Sequence, residues 1–202
     1  MPRNKSYERE TVLERAMETF WSHGYEATSV RDLEREMGIN QFSIYSSFIS
    51  KKNLFIEALK KYREYVAEKS FKPIMEQGAT LADIRSFMHD FISISTRNGS
   101  KRGCLVVNTA GEVGTSDEDI VQALKEYFEF VKEIIAGVIR NGIEAGELSS
   151  ATDVDRYSNY LLGVFQGLSV AVKTLPEKQL HDFADVSMMV FDHPEVKPQV
   201  NI

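Results

Sequence analysis

The chain has 202 residues, 43% of them hydrophobic and 27% charged, with a formal net charge of −6. That is enough chain for one or two domains with a real core, and the composition excludes a disordered or collagen-like sequence. The single cysteine, Cys104, excludes an internal disulfide and points to a reducing compartment.

The charge is unevenly spread. Residues 1–63 hold 11 Lys/Arg against 9 Asp/Glu, and residues 64–202 hold 13 against 21. An acidic whole argues against blanket nucleic-acid affinity, but phosphate binding needs only local positive charge, which the first segment permits. The first residues are polar and show no signal peptide. The longest apolar stretch, Tyr160 to Val172, is broken by Gln166 and Ser169 and is too short to span a bilayer. A soluble cytoplasmic protein is expected.

Strand signals are nearly absent, and helical periodicity recurs throughout. Val12, Leu13, Ala16, Met17, Phe20 and Trp21 predict a first helix that stops at Gly24. Ser29 caps a second, with Asp32 as its capping-box partner and Val30, Leu33 and Met37 as its apolar stripe. Gly38 ends it. Asn40 caps a third, whose buried edge is Ile44 and Phe48. Ser50 caps a fourth, carried by Leu54, Phe55, Ala58, Leu59, Tyr62 and Val66 and broken by Pro73 and Gly78. A fifth follows from Leu81 to about Gly99. Leu105 to Val113 forms a short apolar segment. Ser116 and Asp119 open a long helix that closes near Gly146. Thr152 and Asp155 open another, running to about Thr174. Pro176 stands at the first position of the last helix, and the tail after His193 frays. The expected fold class is all-α, with about nine helices. The expected divisions are 1–50, a helix-turn-helix with an N-terminal arm; 51–72, a connecting helix; and 73–202, a ligand-binding and dimerisation domain.

The informative stretch is Ser29 to Phe48. Two short helices flank a turn at Gly38, and the second has a sparse apolar edge beside Gln41, Ser43, Tyr45, Ser46 and Ser47. A major groove admits one α-helix, and amide and hydroxyl groups both donate and accept hydrogen bonds at base edges. Lys51 and Lys52 open the fourth helix, where positive charge and unpaired N–H groups suit phosphate. Thr28, Ser29 and Arg31 begin the helix that would cross the DNA backbone, and Asn40 starts the probe helix. Arg3 and Lys5 are a candidate basic arm. The bare motif is equally compatible with an ordinary helical hairpin.

The run Phe20, Gly24, Tyr25, Thr28, Ser29, Val30, Leu33, Gly38, Ile39, Ser43, Ile44, Tyr45, Phe48, Lys51, Lys52, Leu54 and Phe55 resembles the DNA-binding domain of the TetR family over about residues 8–60. The resemblance implies that Tyr45 and Lys51 contact phosphates and that Arg31, Gln41, Ser43 and Ser46 face bases. Glu34 and Met37 stand where the family often has alanine, and Phe42 where it has a small residue.

The C-terminal block is similar to the family in layout, which implies a ligand cavity and a homodimer through the last two helices. Gly103 to Ala110 resembles a segment of the electrophile-responsive, N-ethylmaleimide-sensing subset. There a cysteine at the position of Cys104 is modified, and a lysine near that of Lys173 assists. A single thiol on an apolar helix is more often a small core residue. The residues expected at the effector cavity are Phe87, Phe91, Cys104, Leu105, Asn108, Glu112, Phe128, Val131, Tyr157, Leu161 and Phe165. Asn108 and Glu112 are its polar hints. Gly163, Gly167 and Ala171 lie four apart on the penultimate helix, where a partner helix could approach closely.

His23, His89, His181 and His193 show no metal-ligand spacing, and no metal or cofactor is expected. The expected function is a DNA-binding repressor released from a pseudo-palindromic operator by a small molecule or by modification of Cys104. The rivals are a helical protein-binding module without DNA binding, and a small all-α enzyme, for which no nucleophile–base pair or phosphate loop is evident.

Overall fold

A computed structural model of the chain describes residues 8–97 and 101–192. The expected arm residues Arg3 and Lys5, Gly99, His193 and the tail after it lie outside the described residues. Among those described there are ten α-helices and no strand: α1 (Arg9–His23), α2 (Val30–Met37), α3 (Gln41–Phe48), α4 (Lys51–Val66), α5 (Lys72–Met75), α6 (Leu81–Arg97), α7 (Leu105–Val113), α8 (Glu118–Glu144), α9 (Val154–Ala171) and α10 (Glu177–Met188).

The chain forms two compact units. Of the described residues, one holds 8–69 and 102–127, the other 70–97, 101 and 128–192. The divisions expected at 50 and 72 are therefore not those of the compact units, because α7 and the start of α8 join the N-terminal helices.

In the first unit, local signals set each boundary. α1 buries Val12, Leu13, Ala16, Met17 and Phe20 on one face. It ends at Gly24, whose N–H donates to the Phe20 carbonyl at 2.8 Å. Ser29 and Asp32 form a complete capping box on α2, and Gly38 closes it in the left-handed region at φ 70°, which favours glycine. Asn40 caps α3 by accepting from Ser43 N, and Ser50 caps α4 by accepting from Asn53 N.

Helices of eight residues are not stable alone. Packing holds α2 and α3: Leu33, Met37, Ile44 and Phe48 are buried with Phe20, Leu54 and Phe55. Each such side chain contributes roughly 1.5–3 kcal/mol of burial free energy. The Phe20 and Phe55 rings meet edge to face at 4.8 Å, and Tyr25 lies 4.6 Å from Phe55.

Pro73 does not break the fourth helix as the sequence reading expects. The chain continues through a wide π turn, Ala67–Phe71, and Pro73 falls in the first turn of α5. There its missing N–H costs no hydrogen bond. Without the one-turn α5, nine α-helices remain among the described residues.

In the second unit, α6 buries Ile84, Met88 and Ile92, α9 buries Leu161, Val164 and Leu168, and α10 buries Leu180, Ala184 and Met188. Three expected helix starts shift by a residue or two. Asp117, not Ser116, caps α8: its Oδ1 accepts from Asp119 N at 3.1 Å and Ile120 N at 3.3 Å, while the Ser116 hydroxyl donates backwards to the Val113 carbonyl at 2.8 Å. Asp153, not Thr152, caps α9. Pro176 is the extended residue before α10 and not its first helical residue. α9 ends at Ala171 and not near Thr174.

Candidate nucleic-acid interface

Helix α3 carries two buried side chains, Ile44 and Phe48, and exposes Gln41, Phe42, Tyr45 and Ser46. Its start is held from two sides. Asn40 supplies the cap, and the Glu34 carboxylate of α2 accepts the Gln41 N–H. Glu34 thus fastens α2 to α3, and Met37 is buried.

The expected DNA-facing residues fall into three groups. Arg31, Gln41, Tyr45 and Ser46 are exposed, and Ser43 and Ser47 half-buried. Ser29 and Asn40 are exposed but have their side-chain oxygens engaged as caps. Thr28 is not available: it is 1% exposed, and its hydroxyl donates to the Gly24 carbonyl at 2.5 Å. It braces the turn between α1 and α2.

The two lysines differ. The Lys51 ammonium lies 4.6 Å from the centre of the Tyr25 ring and 3.5 Å from the Glu26 carbonyl, and partial burial lowers its pKa. Lys52 is ion-paired with Asp119 at 2.5 Å and Asp117 at 3.4 Å.

Glu112, expected at an effector cavity, is instead a brace for the DNA-binding motif. Its Oε2 accepts from Tyr25 N at 2.9 Å and its Oε1 from Glu26 N at 2.8 Å. Those N–H groups follow the end of α1 and have no helical partner. Gly24 sits against the same carboxylate, at φ 84° and ψ 170°. Nothing in the sequence could show this, because the partners are more than 80 positions apart.

Cys104 is half-buried at the residue before α7. Its thiol donates to the Tyr127 hydroxyl at 3.6 Å and also interacts with Tyr62. Burial first, and the neighbouring Cys104 second, push both phenols well above their ordinary pKa. Trp21 on α1 donates to the Gly103 carbonyl at 2.9 Å, and Arg102 stacks 4.0 Å over the Trp21 ring. Asn108 Nδ2 donates to the Arg102 carbonyl at 2.8 Å, while its Oδ1 is buried with no partner. Leu105 is buried in the same unit.

The other expected effector residues belong to the second unit, as does the exposed Lys173. Phe87 bridges Phe71 and Phe165, each at 5.1 Å between ring centres. Val131 and Leu161 are fully buried core side chains. Phe91 and Phe128 are half-buried. Tyr157 packs instead on Phe191 at 5.1 Å.

His89 and His181, unremarkable in sequence, meet with their Nδ1 atoms 2.5 Å apart. Asp185 faces His89 Nε2 at 3.1 Å, and Glu177 faces His181 Nε2 at 3.7 Å. Among the described residues no group of three or more His, Cys, Asp or Glu could hold a metal ion. No helix among the described residues is long and apolar enough to cross a membrane.

Comparison with known proteins agrees with this motif. Residues 12–58 match the family model for bacterial regulatory proteins, tetR family, and residues 80–186 match the tetracyclin repressor-like C-terminal domain. The HTH-type transcriptional regulator YezE of Bacillus subtilis is 29% identical over 95% of this chain and 100% of its own length. The HTH-type transcriptional repressor ComR of Escherichia coli is 25% identical over 85% of this chain and 82% of its own. A cysteine mutant of the TetR family transcriptional regulator CifR, complexed with 26-bp double-strand operator DNA, superposes with a TM-score of 0.82 at 28% identity, covering 93% of this chain and 98% of that one. The chain is a member of the TetR family, a helix-turn-helix transcriptional regulator that binds DNA.

Proposed function

We propose that the chain acts as a cytoplasmic homodimeric repressor that inserts its α3 helices into successive major grooves of a pseudo-palindromic operator. The observation that carries this reading is the exposed face of α3, short, capped at its start and fastened to α2. Arg31, Gln41, Ser43 and Ser46 read bases; Tyr45 and Lys51 hold phosphates, with Ser29, Asn40 and Ser47 at the margins. The 26-bp operator in the CifR complex is long enough for two half-sites one helical turn apart.

The dimer forms through α9 and α10. On these helices Tyr160, Val170, Phe183 and Val186 are exposed, and so are Gly163 and Gly167. An exposed apolar face marks an association surface, and two such helices per subunit make a four-helix contact.

Release follows from an effector bound among the aromatics of the second unit, where Phe87 and Phe165 meet, or from modification of Cys104. The second route places the chain with the electrophile-responsive subset. It is supported by the half-buried thiol and its two phenol neighbours. Alkylation there would force polar bulk between buried rings, and only a differential effect on two states shifts their balance.

Operator binding should fall steeply as salt rises. Tyr45→Ala and Lys51→Gln should abolish it while sedimentation still shows a dimer. Binding unaffected by both substitutions, or independent of salt, would overturn the reading. Stoichiometric N-ethylmaleimide, verified at Cys104 by mass spectrometry, should release the operator. Retained affinity with the thiol fully modified would end the sensor reading alone.

A further inference from the structure

We infer that Phe42 is a specificity-determining residue that reads the 5-methyl group of a thymine in each half-site. The inference rests on the DNA-binding reading of α3.

Residues on a helix are about 100° apart in projection. Ile44 and Phe48 define the inward direction of α3. On that basis Phe42 points about 140° away from the core and Ser46 about 180°. These two side chains, one turn apart, form the crest of the helix, with Gln41 and Tyr45 on one flank and the half-buried Ser43 and Ser47 on the other.

Phe42 is 82% exposed, more than any other large apolar side chain in the described core or surface. It is also the second residue of the helix, in the turn whose side chains reach base edges when a recognition helix enters the major groove. A phenyl ring has no hydrogen bond to offer there. The one apolar group that a base pair presents in the major groove is the thymine methyl, which separates T·A from every other pair. A ring on the crest cannot enter the groove beside polar edges without stripping their water, so its apolar fit to a methyl is the arrangement that avoids an unsatisfied donor or acceptor. Lys51 and Arg31, both in the same unit, supply the positive charge that such a duplex needs.

The test uses the full chain and a duplex selected from a random pool. Each thymine of the selected duplex is replaced in turn by deoxyuridine, which removes the methyl and keeps the base pair. One thymine per half-site should be sensitive. Its replacement should weaken binding about four-fold in one half-site and about fifteen-fold in both, the size expected for one methyl group withdrawn from apolar contact. Phe42→Ala should bind the thymine and uracil duplexes equally, and should melt close to the parent because the ring is 82% exposed. If the parent binds its duplex with the usual salt dependence but Phe42→Ala shows the same thymine-to-uracil ratio at every position, Phe42 does not read a methyl, and the DNA-binding reading stands. If no duplex is retained from the pool, both fail.

Discussion

The Lys52 ammonium donates to the Asp119 carboxylate at 2.5 Å, so the residue expected to clasp DNA at the start of α4 is held by the first turn of α8. Asp117 adds a second carboxylate at 3.4 Å. A phosphate must compete with both. Replacing Asp117 and Asp119 by Asn should let Lys52 engage DNA. Operator affinity should rise by up to about five-fold, the scale of an exposed ion pair. The slope of log K against log salt should steepen by about 0.9, one more phosphate neutralised. An unchanged slope in a salt titration would leave Lys52 outside the interface.

Gly24 and Glu112 make a second coupling. A Cβ at position 24 would lie 2.8 Å from Glu112 Oε1, and the backbone there is in a region open essentially to glycine alone. Gly24→Ala should therefore cost about 1–3 kcal/mol, which in a chain of this size lowers the melting temperature by several degrees. Glu112→Ala should also destabilise, by about 1–2 kcal/mol, through two lost acceptors for charge-assisted bonds. Combining the two should cost less than their sum, since they disrupt one contact. Thermal unfolding of the three variants measures this.

Ile49 closes α3 at φ 69° and is 78% exposed. A β-branched residue gains nothing there to offset the strain of a left-handed backbone. Ile49→Gly should stabilise the protein by about 1 kcal/mol and raise the melting temperature. A fall would mean that the glycine's entropy in the unfolded chain outweighs the relieved strain.

Tyr62 and Tyr127 carry raised pKa values because burial penalises their phenolates and Cys104 adds to the effect. The folded protein holds these two protons where the unfolded chain releases them, above about pH 10. Stability should be indifferent to these groups below that point and should decline as pH climbs beyond it. Melting temperatures measured between pH 8 and 11 should fall, and Tyr62→Phe or Tyr127→Phe should each flatten the decline.

What the sequence made legible was whatever is encoded within four residues. The Ser29–Asp32 box, the Asn40 and Ser50 caps and the glycine ends at positions 24 and 38 all stand as expected. Neighbouring candidates for one cap were confused, as with Thr152 and Asp153, because both chemistries fit and only the backbone decides. Thr28 looked like an exposed hydroxyl, yet it turns back on Gly24. Contacts between distant positions were closed to this reasoning. Glu112 was placed with an effector, Lys52 was left for DNA, and His89 and His181 were kept apart, because no local pattern announces a partner 67 to 92 residues away. Phe42 departs from the TetR pattern in sequence, and its 82% exposure is visible only in the fold.

Helix α3 is positioned by side chains that take no part in its outer surface: Glu34 beside it, and Ile44 and Phe48 beneath. The letters and the frame are therefore separate sets of residues. Point changes at the outer positions can rewrite what the protein recognises without asking the fold to be solved again. A gene duplicated from this one could drift to a new target one outward residue at a time, each intermediate remaining a sound protein.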